Sequence, residues 1–369
     1  MRINEQSIAR AAANIRQTYP APYELKIQLD TLVFAISASR ETIADQLKTY
    51  FAAFLTAPNT RADIRISVHE TPEPQIGRPL ADYQPEPGKS KIKERFVELS
   101  DGRIVQKSQT GLVFLFGAGV HLAMGACLKN LNQVVNFINN RFIELKLNNG
   151  GLLGHAAGVA RQNTGLALAG YSGTGKSSLA LKLLSRGADF ISNDRLILMK
   201  AENGTRMVGV PKHPRVNPGT LLNNEDLAGI LSTTDQARYR RLPHETLWHL
   251  DEKYDVRIED VFKNSRFLSS APMKGLVILN WRRTDAPMTI EAIDPGKRKD
   301  LLPALIKAPG IFYYPDGQSP ETPPPASAYI HKLSGCDVFE ISGGIDFERA
   351  ADFFIDYLQS GAAAICQAQ

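Results

Sequence analysis

The chain has 369 residues, of which 43% are hydrophobic and 22% are charged, a composition that is ordinary for a globular protein with enough length for two domains. Its net charge of +5 is spread over short basic clusters without interleaved aromatic residues, so a nucleic acid is not the expected partner. Three widely separated cysteines argue against a disulfide framework or a zinc site, and the N-terminus lacks the apolar core of a signal peptide, so we expect a cytoplasmic protein without a membrane span.

The first part of the chain predicts a small α/β unit. Residues 1–22 read as a helical lead-in, and 23–37 alternate between apolar and polar residues as two strands do. A helix is predicted over 41–55 and another strand over 63–69. None of these segments resembles a catalytic constellation, and His69 reads as an ordinary residue at a strand end rather than as a ligand.

The rest of the predicted N-terminal domain contains a linker, a hairpin and a helix. Residues 71–93 are rich in proline and charge and predict a loop or linker. A hairpin with an Asp-Gly turn is predicted at 96–105, a strand at 112–116 and a helix at 130–147. The stop signal at 148–151 predicts a domain boundary, with an N-terminal α/β domain over 1–149 and a second domain over 150–369.

The second domain begins with the motif around which the chain is organised. Residues 164–178 read T-G-L-A-L-A-G-Y-S-G-T-G-K-S-S, and 170–177 match the G-x-x-x-x-G-K-[ST] pattern of a phosphate-binding loop. The apolar run 166–169 predicts a buried strand before it, and 176–186 predict a helix after it that ends near Gly187. A chance match is the alternative, but it occurs in about 1% of chains of this length at ordinary residue frequencies.

The residue types of this motif suit the polyphosphate of ATP. Glycine lets backbone N–H groups turn toward a phosphate, and the helix N-terminus directs its partial positive charge there. Lys176 supplies a cation for the β- and γ-phosphates, and the Ser177 hydroxyl is a ligand for Mg²⁺. The predicted nucleotide contacts are Gly170, Ser172, Gly173, Thr174, Gly175, Lys176, Ser177 and Ser178.

A strand that begins at Ala188 places an acid near this loop. Mg²⁺ needs a second protein contact at such a strand end, and Asp194 is the acid that fits, whereas Asp189 lies too early and is expected to face solvent. Farther along, 274–281 predict a buried strand and 308–328 a long surface loop or lid. The chain ends in a predicted strand and helix over 336–358.

These residues together resemble the kinase domain of HPr kinase/phosphorylase, and more closely the related kinases called HPr-kinase-related kinase B. The resemblance rests on His155, on G-Y-S-G-T-G-K-S-S, and on L-L-S-R-G-A-D-F-I-S-N-D-R-L, over about 152–200. It implies a P-loop domain of the phosphoenolpyruvate-carboxykinase type, a mixed sheet with helices packed outside, that uses ATP and Mg²⁺. Ser177 and Asp194 are then the metal contacts.

The sequence departs from the family pattern at two catalytic positions. The family has an Asp-Asp pair whose first member is the proposed base, and here the pair is Asn193-Asp194. An amide can position a hydroxyl but cannot accept its proton. The family's arginine near the transferring phosphate has no fixed match, and Arg266 is the candidate.

The function predicted from these features is an ATP-dependent kinase that phosphorylates a hydroxyl, first of all a serine of a partner protein. A small-molecule kinase acting on an alcohol such as free serine, and a nucleotide-binding regulatory pseudokinase, stay open as alternatives. His155 is the candidate base or orienting group, or else a core histidine, and His213 or His249 would be the next candidates. The pattern leaves the acceptor and a homo-oligomeric state open.

Overall fold

The structure is a computed structural model that describes residues 2–84, 90–243, 246–247, 250, 252–314 and 323–361. The chain is a mixed α/β protein that forms two compact units. The first unit contains Met1–Asn148 and Pro309–Thr322, and the second contains Asn149–Ala308 and Pro323–Gln369. In the described part of the chain, we find no helix with the length and apolar character needed to cross a bilayer.

The first unit is built mainly from strands. Its elements are β1 (Arg2–Ile3), α1 (Ile8–Thr18), β2 (Tyr23–Leu29), β3 (Leu32–Ala38), α2 (Glu41–Tyr50), β4 (Ile64–Glu70), β5 (Gln75–Ile76), β6 (Ala81–Asp82), β7 (Glu94–Leu99), β8 (Gly102–Lys107), β9 (Val113–Gly117), β10 (Val120–Gly125) and α3 (Leu131–Asn148). The predicted strand pair, hairpin and two helices are confirmed, and the predicted linker contains the short strands β5 and β6.

One mixed sheet organises this unit, in the strand order β2-β3-β4-β10-β9-β8-β7-β6. The hairpin turn between β7 and β8 also fixes the start of α1, because the Asp101 carboxylate accepts hydrogen bonds from the N–H groups of Ile8 (2.6 Å) and Ala9 (3.2 Å). Those N–H groups have no partner inside the helix, so a carboxylate at this end stabilises it. Ile8, Ala12 and Ile15 of α1 pack into a core with strand residues of the sheet.

Residues 309–314 belong to the first unit, which corrects the prediction of a surface loop or lid over 308–328. Phe312 is 8% exposed and stacks on Phe116 with ring centroids 5.7 Å apart. The buried guanidinium of Arg141 donates to the carbonyl oxygen of Phe312, and Arg103 donates to that of Ile311 at 2.6 Å. The segment is therefore a packed part of the core. Residues 315–322 of the predicted loop lie outside the described part of the chain, and a helix begins at Ala326.

The second unit carries the predicted nucleotide motif. Its elements are β11 (Leu152–Gly154), β12 (Ala156–Arg161), β13 (Thr164–Gly170), α4 (Lys176–Ser185), β14 (Asp189–Ser192), β15 (Leu196–Ala201), β16 (Gly204–Gly209), β17 (Arg215–Val216), α5 (Pro218–Leu222), α6 (Thr233–Arg240), β18 (Tyr254–Asp255), α7 (Ile258–Val261), β19 (Ser270–Leu279), β20 (Thr289–Ala292), α8 (Ala326–Lys332), β21 (Asp337–Ser342) and α9 (Phe347–Ser360). Short 3₁₀ helices cover Glu225–Ile230 and Lys299–Ala304.

A nine-stranded sheet with β19 at its centre positions the motif. β13 runs parallel to β19 on one side, with Gly170 opposite Leu279, and β21 runs parallel to β19 on the other. β12 is antiparallel to β13, with Ala156 opposite Ala169. Chain segments that leave the ends of β13 and β19 therefore start side by side, next to the residue that precedes Ala156. The strand residues, the 3₁₀ helix at 299–304 and α8 share one buried apolar cluster.

We expect His69 of the first unit to make stability depend on pH. Its side chain is fully buried, its Nδ1 hydrogen-bonds to the carbonyl oxygen of Tyr19 at 2.7 Å, and burial lowers its pKa to about 4. The unfolded chain has an ordinary histidine pKa and so binds more protons below pH 6.5. Stability should therefore fall by up to about 3 kcal/mol between pH 6.5 and pH 4.

Urea unfolding of the protein at a series of pH values tests this expectation. His69→Gln should flatten the decline, whereas His331→Gln, which changes an exposed histidine, should leave it as steep as in the unaltered protein. An equally steep decline in His69→Gln would show that its protonation does not limit acid stability.

Candidate functional site

The glycine-rich loop joins β13 to α4 and has the backbone that its sequence predicts. Gly173 and Gly175 have φ values of 84° and 92°, in the left-handed region where a side chain is unfavourable. Gly175 is the N-cap residue of α4, which begins at Lys176. Loop N–H groups and the helix N-terminus are thereby placed together at one end of β13, an arrangement suited to an anion.

Two aromatic residues support this loop from behind. The indole N–H of Trp281, two residues after β19, donates to the carbonyl oxygen of Thr174 at 2.7 Å. Phe347, the first residue of α9, packs edge-on against Trp281 with centroids 5.0 Å apart. A Cβ on Gly175 would lie 2.5 Å from Cζ of Phe347, so the glycine allows a close approach as well as an unusual φ. The loop is held by a part of the chain more than 100 residues away in sequence.

The Lys176 side chain folds back along the loop. Its ammonium group donates to the carbonyl oxygens of Gly170 at 2.6 Å and Tyr171 at 3.0 Å, and the residue is 7% exposed. Burial lowers the pKa of Lys176 to about 8, the charge of Asp194 opposes this shift, and the charge of Lys307 adds to it. The hydrogen-bond partners of the Lys176 ammonium group are thus neutral oxygens. The carboxylate whose charge acts on it is that of Asp194, which could also bind a metal.

His155 and Asp194 form a pair beside this lysine. The sequence predicts a single strand over 152–160, but the structure divides it into β11 and β12, with His155 at the bend between them. The Nε2 atom of His155 is 3.1 Å from Oδ1 of Asp194. Partial burial opposes ionisation of Asp194, but the hydrogen bond from His155 and the charge of Lys307 hold its pKa below the ordinary value. Asp194 is therefore an anion at neutral pH, and 49% of its side chain is exposed to solvent.

Asn193 lies next to this pair, in a break between strands that the sequence did not predict. The segment predicted as one continuing strand from Ala188 is divided into β14 and β15 by residues 193–195. The Oδ1 atom of Asn193 is buried and accepts no hydrogen bond from the described residues. Burial of an amide oxygen without a hydrogen bond costs free energy. Such atoms occur at sites where a ligand or a water molecule completes the hydrogen bond.

The structure does not bring Arg266 to the site, which corrects its assignment as a catalytic residue. Its guanidinium pairs with the Asp189 carboxylate at 2.8 Å, and its backbone N–H donates to the same group at 2.8 Å. Asp189 begins β14, whereas Asp194 follows the opposite end of that strand. Asp189 itself is 14% exposed, so the expectation that it faces solvent is also wrong. The Arg266–Asp189 ion pair instead lies at β14, the strand at one edge of the sheet.

The alternative histidines do not join the site either. His213 is 7% exposed, and its ring packs edge-on against Phe267 at 5.5 Å, so an acceptor cannot reach it. His249 lies outside the described residues. Of the histidines predicted as bases, the structure places His155 next to the loop.

The residues present fit Mg²⁺ bound together with a nucleotide rather than a metal held by protein alone. No group of three or more His, Cys, Asp or Glu residues in the described part of the chain could hold a metal ion. Mg²⁺ commonly takes one or two protein oxygens and completes its shell with phosphate oxygens and water. Ser177 in the first turn of α4 and the ionised Asp194 offer two such oxygens here. The open space over Gly173, with no atom within 4 Å of its Cβ position, suits a phosphate.

Sequence reasoning missed three residues of this site: Trp281, Phe347 and Lys307. Trp281 could have been found, because the parallel strands β13 and β19 end at the same edge of the sheet and Trp281 follows the second of them. Lys307 has no such signal. It reaches the site because its backbone pairs with Leu153, with a 3.3 Å hydrogen bond, while His155 N–H donates to Leu305 at 2.6 Å.

We expect Gly175→Ala to destabilise the second unit and weaken nucleotide binding. The left-handed φ costs about 1–2 kcal/mol with any side chain, and the contact with Phe347 adds to this cost. Gly204→Ala is the matched control, because Gly204 has φ 107° but open space around its Cβ position. Urea unfolding should show a larger loss for Gly175→Ala. Equal losses would mean that the Phe347 contact does not constrain the loop.

No protein-family model and no curated protein matches this chain. A solved structure that matches in part is the "Hpr(Ser) kinase/phosphatase from Coxiella burnetii", which is 11% identical and covers 58% of this chain and 97% of its own. Its TM-score of 0.28 is too low to support a statement about shared fold or function.

Proposed function

We propose that this protein is an ATP-dependent kinase that transfers the γ-phosphoryl group to a hydroxyl, in the first place a serine of a partner protein. The observation that carries the proposal is the left-handed glycine loop at the N-terminus of α4, where the charge of Asp194 acts on Lys176 and Asp194 also contacts His155. Phosphoryl transfer depends mainly on positioning and charge neutralisation, and this arrangement offers both.

Each residue of the site has a role in this proposal. The loop N–H groups and Lys176 hold the phosphates, and Ser177 and Asp194 are the protein contacts for Mg²⁺. Bound Mg·ATP would supply the transferred group and neutralise part of its charge. Lys307 acts on both Lys176 and Asp194 and takes the place of the distant Arg266 as the second cation of the site.

His155 is the proposed base. When its Nε2–H donates to the ionised Asp194, the neutral ring has its lone pair on Nδ1, which can accept the proton of the acceptor hydroxyl. Asp194 also fixes the orientation of the ring and stabilises the imidazolium that forms. This role requires no acid at position 193.

Asn193 favours a second candidate function, a nucleotide-binding pseudokinase, because an amide in this position cannot take a proton. Incubation with γ-labelled ATP and three acceptors, namely candidate partner proteins, free serine and water, separates the alternatives. Label on a protein serine supports the proposal, and label on free serine supports a small-molecule kinase. Nucleotide binding without label on any acceptor supports the pseudokinase.

Lys176→Met should lower the affinity for Mg·ATP by about 10- to 100-fold, because the ammonium makes charge-assisted hydrogen bonds to phosphate. The methionine retains most of the aliphatic stem, so the variant should stay folded. Lys297→Met, which removes an exposed lysine of the same unit, should bind ATP normally. Calorimetric titration measures both affinities. Unchanged ATP binding by folded Lys176→Met would refute the assignment of the loop.

His155→Ala should lower kcat by about 10²–10⁴-fold if His155 is the general base. In that background, Asn193→Asp should restore part of the transfer, because a carboxylate beside Asp194 has a raised pKa and can accept a proton. The pseudokinase alternative predicts no transfer by the unaltered protein and new activity in Asn193→Asp. Efficient transfer that is indifferent to both substitutions would refute both assignments.

A further inference from the structure

β20 forms an edge of the nine-stranded sheet in the second unit. It pairs with β21 on one side, and no described strand pairs with its other side. The N–H group of Ile293 donates to the carbonyl oxygen of Val338 in β21 at 2.8 Å. Because hydrogen-bonded and non-hydrogen-bonded pairs alternate along an antiparallel ladder, the backbone N–H and C=O groups of Ile290 and Ala292 point away from β21. These groups form the open edge of the sheet.

The sequence of β20 does not block this edge. Natural proteins protect exposed sheet edges with lysine, proline or a β-bulge, because an open edge is a template for another strand. The four residues of β20 are T-I-E-A, and they pair with β21 in continuous register. An extended segment of another chain can therefore add to the sheet at β20 through main-chain hydrogen bonds.

A groove of about 440 Å³ lies between this edge strand and α9. Its apolar lining residues are Met288, Ile290 and Phe353. Phe353 packs edge-on against Phe339 of β21 with ring centroids 6.1 Å apart, so its ring is held in place. The guanidinium of Arg349 in α9 donates to the carbonyl oxygen of Met288 at 3.0 Å and joins the helix to the start of β20. The groove is therefore formed by elements that contact each other directly.

The charged lining of the groove is mainly acidic. It consists of Glu291, Asp352 and Asp356, with Arg349 as the opposing charge. Glu291 and Asp356 are exposed and form no ion pair with any residue that the structure describes. Arg186 engages one oxygen atom of Asp352, with its Nε 2.9 Å from Oδ1. Three carboxylates against one guanidinium favour a ligand that carries positive charge.

The spacing of the acids on α9 suits an extended peptide. Asp352 and Asp356 are four residues apart and lie on one face of the helix, with a rise of about 6 Å between them. Alternate side chains of a strand are about 6.6 Å apart and point to the same face. Two basic residues separated by one position therefore match the two carboxylates. A second copy of this chain, paired through the same edge, would bring the same acids together and is disfavoured.

We propose that β20 and α9 bind an extended segment of a partner protein that carries Lys or Arg at alternate positions and adds to the sheet as an edge strand. The open edge of β20 supplies main-chain hydrogen bonds, and the carboxylates of the groove select the basic side chains. This interaction surface does not depend on the proposed kinase function.

Three labelled peptides of one length, in which valine alternates with Lys, Gln or Glu, test the surface in the full-length protein by fluorescence anisotropy. The Lys peptide should bind at least about tenfold more tightly than the Gln peptide, and the Glu peptide should bind more weakly still. Backbone N-methylation of the lysines or of the valines should abolish binding in one case only, because one edge of the added strand pairs with β20.

Two variants separate the charge from the edge. Asp356→Lys should weaken binding of the Lys peptide at least about tenfold and strengthen binding of the Glu peptide, and Asp356→Asn is the milder change if that protein does not fold. Ala292→Pro removes an N–H group of the open edge without removing a bond to β21, and it should weaken binding of the Lys and Gln peptides alike. Glu202→Lys, which changes an exposed acid in the turn between β15 and β16, is the matched control and should bind as the unaltered protein does.

Equal binding of the Lys and Gln peptides would overturn the inference, and so would binding of the Lys peptide that survives both Asp356→Asn and Ala292→Pro. Sedimentation at a series of protein concentrations tests the other occupant of the edge. A dimer that Ala292→Pro dissociates would assign β20 to a second copy of this chain and overturn the proposed partner.

Discussion

The glycine-rich loop of the second unit and the residues that support it are arranged around the buried ammonium group of Lys176. A cation removed from water must find oxygen atoms, and here it finds the carbonyl oxygens of its own loop. Those bonds require the chain to double back between Gly170 and Lys176, which only glycine-spaced backbone permits. The loop must in turn be supported from behind, and the Trp281 indole supplies that support through Thr174. The loop sequence and the packing of Trp281, which is distant in sequence, therefore both keep the Lys176 ammonium group bonded to oxygen atoms.

Asp194 connects the proposed base to the lysine of the glycine-rich loop. Its carboxylate is 3.1 Å from the Nε2 atom of His155, and its charge favours the charged form of Lys176. A single carboxylate can serve in this way because it lies in the break between β14 and β15, where the chain leaves the sheet and the side chain is half-exposed. An acid within either strand would face one side only.

The sequence predicts the parts of this site that local chemistry determines and misses those that depend on distant packing. The glycines, Lys176 and their flanking strand and helix follow from steric and dipole arguments that act within about 20 residues. The proximity of Asp194 to the loop was also within reach, because an acid was expected at a strand end. The position of Arg266 could not be predicted, because the family's arginine has no fixed match in this sequence. In the structure, Arg266 pairs with Asp189. Trp281 and Phe347 are ordinary apolar residues until the parallel strands place them under the loop.

The packing of Phe312 has a consequence for how this protein is made. A ribosome completes the strands and helices of the first unit by Asn148, but the segment that fills the space between Phe114, Phe116 and Phe137 is synthesised about 160 residues later. Until then, those aromatic rings and the buried Arg141 guanidinium lack the partner that covers them. Synthesis of the first unit thus starts before that of the second unit and ends after most of it. Its apolar surface has to be kept from aggregating while the second unit emerges.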